Sequence, residues 1–383
     1  MDYQQANKQF LSMFWDLASD DRNKRLSANE GIIKYVQDSV ENQKGMNDEG
    51  TMTIDLDYAM KRLIRGLSSS RDSARHGFSA CFTALLTASS DFPKDKELPL
   101  SVTMPIIDES TRIKGKVRGS EERDLMFGKL FAYLSIARSG ILRKDDKTAV
   151  DILERLIELH KKRGWMREVV TEAILVVLYS MNISSGVVAS RALPIIAGAG
   201  LLSPVDAETG IRNDSAMTGG AEGWVREWVP WQLALALGLI RYGADSKEIE
   251  NAGNSNNGKG KQYKDIRKAV GAMVPSLLDS SAGSEGEKLS FHQLLLPSAL
   301  ADKDAILGPC LVAAASGFPK IHRVWEYVLG GLFGLPIADE YGGVNEFGLL
   351  RALPSARVQQ MSDKQVDLLK ALVMFMERNL LVR

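Results

Sequence analysis

The stretch AVDILERLIELHKKRGWMREVVTEAILVVLYSM, Ala149 to Met181, decides the fold class. Ala149, Ile152, Leu153, Leu156 and Ile157 recur at i, i+3, i+4, i+7 and i+8, which is one face of an α-helix. Lys161, Lys162 and Arg163 fall in its last turn, where cations meet the negative end of the helix dipole, and Gly164 closes it. A second helix restarts at once, from about 165 to 181, through Val169, Val170, Ile174 and Leu178. Two amphipathic helices joined by a short glycine turn make an αα-hairpin.

The same pattern extends outward. Before this hairpin, Phe127, Leu130, Phe131 and Leu134 mark another helix, with Glu121 and Glu122 in its first turn and Gly140 as its stop. Similar segments lie near 3–18, 24–42, 53–68, 71–89, 186–200, 224–242, 262–279, 323–333 and 363–382, the last opening on a capping box at Ser362–Gln365. No segment alternates long enough to demand a sheet; Ser101–Ile107 reads equally as strand, loop or helix. The expectation is an all-α chain built as an irregular HEAT/armadillo-like α-solenoid of antiparallel helix pairs. It forms a single extended helical-repeat array over 1–383, with loops near 90–120, 203–222, 245–261 and 279–290. The last residues, Leu380 to Arg383, are apolar and helix-like rather than a polar cap, so the chain is expected to be the N-terminal part of a longer protein.

The 383 residues carry 48 Lys+Arg against 48 Asp+Glu, with 45% apolar and 25% charged residues. Zero net charge excludes a polycation that coats nucleic acid along its whole length and a strongly acidic disordered chain. Cys81 and Cys310 form no CxxC pair, so neither a zinc knuckle nor a disulfide framework is available, and both read as reduced core thiols. There is no signal-peptide layout, and the longest apolar run, Trp231–Ile240, falls short of the roughly 20 residues that span a bilayer. A soluble intracellular chain without membrane contact is expected.

Catalytic patterns fail one by one. Gly253–Gly260 fits G-x-x-x-x-G-K but places Gly260 where the magnesium-binding Ser or Thr belongs, and no buried strand precedes it. Gly198-Ala199-Gly200 puts Ser203 where a dinucleotide fingerprint needs its third glycine. Asp55-Leu56-Asp57 offers paired carboxylates for a metal pair, but it sits at a helix start, where acids serve the dipole. His76, His160, His292 and His322 have no metal spacing, and no G-x-S-x-G elbow exists. The expectation is no enzyme, no cofactor, no metal and no small-molecule substrate.

Charge is uneven. Residues 61–118 hold eleven basic and six acidic groups, a surplus of five that the rest of the chain cancels. One cluster is Lys61, Arg62, Arg65, Arg71 and Arg75; the other is Arg112, Lys114, Lys116 and Arg118, broken by Gly115 and Gly119. A glycine-bearing basic loop beside a basic helix suits phosphate or an acidic partner, and it equally suits a solvated face. For most of Arg62, Arg65, Arg71 and Arg75 helix packing and interhelix pairing are favoured; Lys114, Lys116 and Arg118 are the stronger candidates for external contacts.

The segment Tyr58 to Arg71, with Lys61-Arg62-Leu63-Ile64-Arg65-Gly66-Leu67 followed by Ala74-Arg75-His76-Gly77-Phe78, resembles the K-R-L-I-R-G-L-x-S-S-R…A-R-x-G-F signature of the Myb-binding protein 1A family, which includes DNA polymerase V (polymerase phi). Phe14–Ser19, Lys114-Gly115, Gly119–Asp124, Phe127–Phe131, Lys162–Glu168 and Pro319–Trp325 are similar to further family blocks in the same order. Lys129 stands for the usual Arg, and Arg323 where Pro is common. The resemblance implies a HEAT/armadillo-like solenoid in the nucleus, at the nucleolus. It implies a non-enzymatic scaffold or transcription regulator in rRNA gene transcription and ribosome biogenesis. Its partners would be nuclear or nucleolar proteins, transcription or ribosome-assembly factors, and possible partners include rDNA and rRNA. Two alternatives stay open: the DNA-directed DNA polymerase that one family name asserts, and a generic helical-repeat transport or assembly factor. Polymerase chemistry needs a carboxylate-bound metal pair, which these residues do not supply.

Overall fold

The computed structural model describes residues 3–42, 53–92, 98–113, 115, 118–202 and 262–273, with isolated positions between 231 and 246. The regular structure among these residues is helical throughout, without a strand. The expected helices at 323–333 and 363–382, most of 224–242, the loops at 203–222 and 279–290 and all of 245–261 but Ser246 lie outside them, as do Cys310 and the Gly253–Gly260 run. Contacts divide the chain into two compact units, Met1–Leu159 and His160–Arg383.

The first unit holds α1 (Tyr3–Asp16), α2 (Arg22–Glu41), α3 (Ile54–Gly66), α4 (Asp72–Ala88), α5 (Leu100–Ser110), α6 (Gly119–Arg138) and the start of α7 (Asp146–Lys162). Local chemistry sets their ends. Asp21 caps α2 by accepting from the Asn23 N–H at 2.8 Å, and Thr53 caps α3 with Asp55 and Asp57 in its first turn. Gly140 follows α6 at φ +79°, the left-handed stop expected from the sequence.

Helix α4 is the hub, packed against α2, α3 and α6. Its small residues allow this: Ala74, Gly77, Ser79 and Cys81 are buried beside Phe78, Phe82, Leu85 and Leu86. Ser79 and Ser135 share a buried hydroxyl–hydroxyl hydrogen bond of 3.0 Å between α4 and α6. Burial pushes the Cys81 thiol far up, so it stays a protonated core group. A ladder of rings, Tyr35 stacked on Phe10 at 4.3 Å and Phe14 edge-on to Tyr58 at 5.7 Å, ties α1 to α2 and α3.

One expectation is corrected. The polar stretch 90–120 is not a continuous loop, because Leu100–Ser110 within it forms α5. Pro105, inside this helix, cannot donate to the Ser101 carbonyl and costs the helix roughly 3 kcal/mol. Leu100, Met104 and Ile107 are all buried on one face. At about 1.5–3 kcal/mol for each such side chain, burial outweighs the proline.

In the second unit, a 3-10 turn at Gly164–Met166 precedes α8 (Arg167–Ser180), so the helix starts two residues later than expected. The expected helix near 186–200 is a π turn, Val188–Ala192, running into α9 (Leu193–Gly198). Pro194 has no N–H for the Ser190 carbonyl, and the backbone widens just before it. Gly198-Ala199-Gly200 is the end of that helix, with Gly200 at φ +66°. Helix α10 (Gln262–Met273) packs on the π turn and α9. His160 is buried, meets the Trp231 ring edge-on at 4.4 Å, and its Nε2 accepts no hydrogen bond among the described residues. Burial, helped by Arg167 and Lys161, pushes its pKa down to about 4.

Candidate nucleic-acid interface

Of the nine basic residues singled out from the sequence, seven are described, and they separate into two kinds. Arg75 belongs to the interior. Its side chain is 13% exposed, donates to the Ser69 carbonyl at 2.8 Å, pairs with Asp72 and reaches Asp124 at 3.5 Å. Its guanidinium also lies over the Phe127 ring at 5.4 Å. Arg71 pairs with Asp20 at 3.2 Å. Hydrogen bonds from Ser73 and Arg71 hold the Asp20 carboxyl below the usual carboxylate range. Lys61 pairs with Asp57 one turn earlier on α3, at 2.8 Å.

The others face outward. Arg62 sits half-buried with its guanidinium 5.9 Å from the Trp15 ring centre. Arg65 is exposed and has no ion pair among the described residues. Arg112 is exposed and touches Glu109 at 3.3 Å. Arg118 is exposed at the N-cap of α6, three residues before Glu121. Gly115 between them is exposed at φ +70°, with open space around it. Lys114 and Lys116 lie outside the described residues.

The paired carboxylates have local duties. Asp55 is buried and accepts from the Ser39 hydroxyl at 3.1 Å, while Asp57 is held by Lys61. Among the described residues no group of three or more His, Cys, Asp or Glu converges as a metal site, and no helix is long and apolar enough to cross a membrane.

Sequence reasoning missed two features. Both carboxylate oxygens of Asp108 on α5 accept from one nitrogen of Arg155 on α7, Nη1, each at 2.7 Å, and Lys129 of α6 reaches Asp108 at 3.1 Å. The Arg155 Nε also donates to Asp151 at 2.8 Å. Burial raises the Asp108 carboxyl, but the hydrogen bonds from Arg155 and Lys129 outweigh it and hold the group below its ordinary value. Nothing local in the sequence announces a pair 47 residues apart. The second feature is Trp15, 73% exposed beside Arg62. Its place among Phe10, Leu11 and Phe14 makes it read as one more core position.

The signature residues also pack on one another. A Cβ added to Gly66 would overlap the Phe78 ring, and one added to Gly128 would overlap the Ser68 side chain. Arg75 of A-R-x-G-F meets Asp124 of the G-x-E-E-R-D block. The motifs therefore specify how α3, α4 and α6 fit together.

Comparison with known proteins agrees with the resemblance drawn from these motifs. Residues 58–201 match the family described as DNA polymerase phi. The "rDNA transcriptional regulator pol5" of Schizosaccharomyces pombe is 35% identical over 167 residues, 43% of this chain and 15% of that protein. The "rDNA transcriptional regulator POL5" of Saccharomyces cerevisiae is 30% identical over 175 residues, 41% of this chain and 16% of that protein. Human "Myb-binding protein 1A" is 28% identical over 176 residues, 46% of this chain and 12% of that protein. The chain thus spans a small fraction of the length of these relatives. No solved structure matches it.

Proposed function

We propose, on the premise that residues 58–201 are a DNA polymerase phi family segment, that this chain is a non-enzymatic scaffold or regulator. It acts in the nucleus, at the nucleolus, in rRNA gene transcription and ribosome biogenesis. Its helices continue as an irregular HEAT/armadillo-like stack and present binding surfaces to proteins and to rDNA or rRNA. The relatives' names support this reading: two are called rDNA transcriptional regulators and a third Myb-binding protein.

The observation that carries the reading is the fate of the polar residues in and just before the signature. Asp55 is tied to Ser39 of α2 and Arg75 to Asp124 of α6, while Asp57 is held by Lys61 on its own helix. Carboxylates already engaged in this way are not a free pair for two catalytic metals. Exposed Arg112, whose ion pair with Glu109 lies in solvent, and exposed Arg118 are the charges assigned to a partner, together with Lys114 and Lys116 of the same segment.

Two assays test it. Purified protein with magnesium should not extend a primer; robust extension abolished by Asp55→Ala or Asp57→Ala would overturn the regulator reading. Binding to rDNA or rRNA should weaken steeply with salt, and neutralising Arg112, Lys114, Lys116 and Arg118 to Gln should flatten that dependence. Binding that survives neutralisation unchanged removes this loop from the interface.

A further inference from the structure

We propose that the outward face shared by α1 and α3 is a binding site for single-stranded nucleic acid, with Trp15 as a base-stacking platform and Arg62 and Arg65 as phosphate contacts. The proposal deepens the reading above, because it rests on the chain contacting nucleic acid at all.

Three observations carry it. First, Trp15 does no packing that the fold requires. Phe10, Phe14 and Leu17 already bury the inner side of α1, at 1%, 1% and 0% exposure, while Trp15 stands at 73%. Burying an indole is among the largest apolar gains available to a chain, so leaving this one in water forgoes stability that the fold could have used. Second, Trp15 is not alone. Ile54 and Tyr58 are 48% and 41% exposed on α3. Ile54, Tyr58, Arg62 and Arg65 follow one another at i, i+4, i+8 and i+11 along one stripe, about 16 Å long at the α-helical rise. Contacts of Phe10 and Phe14 with Tyr58 fix α1 beside that stripe, and the Arg62 guanidinium lies 5.9 Å from the Trp15 ring centre. Third, basic groups outnumber acidic ones on this face. Lys61 is matched by Asp57, but Arg62 and Arg65 have no acidic partner among the described residues, and exposed Lys8 lies two turns before Trp15 on the same side of α1. Asp16, next to Trp15, is the exposed acid here.

An exposed indole with one guanidinium beside it, and a second arginine one turn further along the neighbouring helix, is what an unpaired base and its phosphates need: a flat π-face with cations on the same face. A duplex hides its base faces and gains only the charge term. An acidic peptide anchors its apolar side chains in a recess, and Trp15 projects rather than forming one. The favoured ligand is therefore single-stranded RNA or DNA, with little preference among bases because every base has a π-face.

The test uses the full chain and fluorescein-labelled oligouridine and oligothymidine of about twelve nucleotides, within the range one such surface covers. A mixed duplex and an acidic peptide containing Phe are the comparison ligands. Anisotropy is followed from about 50 to 300 mM KCl. Single strands should bind more tightly than duplex. Trp15→Ala should weaken single-strand binding roughly tenfold, and Trp15→Phe should keep most of it. Arg62→Gln with Arg65→Gln should flatten the log–log salt slope by about 1.4, the value for two single-strand phosphates. The exposure of Trp15 and Arg65 means that these variants should melt like the parent, and Arg65→Gln alone gives a readout if the double variant does not fold. Single-strand binding indifferent to Trp15→Ala and to the arginine pair overturns this site, and if neutralising 112–118 then abolishes binding, the loop reading survives without it. Displacement of the oligonucleotide by the acidic peptide at lower concentration also overturns it, in favour of a peptide site. Absence of any salt-dependent nucleic-acid binding removes both readings together.

Discussion

Gly77→Ala separates close packing from helix propensity, because the two predict opposite signs. Gly77 lies within α4, where alanine is favoured over glycine by up to about 1 kcal/mol. Propensity alone therefore makes the variant more stable. The structure places the new methyl into backbone. A Cβ at Gly77 would overlap the Leu17 carbonyl oxygen, lie 2.9 Å from the Leu17 carbonyl carbon and approach Arg25 Cδ at 3.1 Å. Neither neighbour can yield easily. The Leu17 N–H is bonded to Met13 at 3.0 Å, and Arg25 donates to the Ser19 and Asp20 carbonyls at 2.8 and 2.9 Å. Overpacking against such neighbours costs about 1–3 kcal/mol, and a rigid backbone obstacle belongs at the upper end. Subtracting the propensity gain leaves a net loss of about 2 kcal/mol. For a unit of this size that is a fall of roughly 4–8 °C in Tm, read from thermal unfolding at 222 nm. Gly119→Ala is the matched control, since a Cβ there meets nothing within 4 Å, and its Tm should hold or rise slightly. A Gly77→Ala protein that melts at or above the parent temperature would refute the close approach of α4 to the turn after α1.

Further outcomes follow from the charged and titratable groups. Arg75→Ala should cost about 2 kcal/mol in urea unfolding, because it leaves half-buried Asp124 and the Ser69 carbonyl without their donor, whereas Arg65→Ala should stay within about 0.5 kcal/mol. Asp108→Asn should destabilise by about 1–2 kcal/mol near neutral pH. Because the folded Asp108 carboxyl is depressed, its contribution is present above the ordinary value of 3.8 and is lost as pH falls below it, so parent and variant stabilities should converge in acid. His160 acts in the same direction but in a higher pH window. With its folded pKa near 4 against an ordinary 6.5, the unfolded chain binds the proton more readily, and stability should fall as pH drops from 6.5 towards 4. His160→Leu should abolish that fall, gaining about 2 kcal/mol relative to the parent between pH 7 and pH 5; equal pH profiles would show that the ring is not buried in the neutral form.

Helices whose apolar residues repeat cleanly were legible in the sequence, as with α6 and α7, because their stripes face one core and their ends carry ordinary dipole and glycine signals. Helix α5 was not, because Ser101, Thr103 and Pro105 argue locally for a loop and only the tertiary burial of Leu100, Met104 and Ile107 overrides them. At the candidate site, composition located the basic residues but not their occupations. Whether Arg75 pairs inward or Arg65 points outward depends on acids brought in by other helices, and Asp124 is 49 residues from Arg75. Trp15 was hidden for the reverse reason: one turn after Leu11 and next to Phe14 it has the register of a core residue, yet the packed helices leave it exposed.

The polar ties between helices of the first unit have a kinetic consequence. Arg75–Asp124, Ser79–Ser135 and Asp108–Arg155 close spans of 49, 56 and 47 residues, and the spans overlap. The entropy of closing a loop grows with the logarithm of its length, so the first closure bears most of the cost and shortens the path left for the next. The unit should therefore assemble and come apart in one step, with limited proteolysis giving either the intact unit or small peptides, and a fragment ending before α6 should gain no stable tertiary structure.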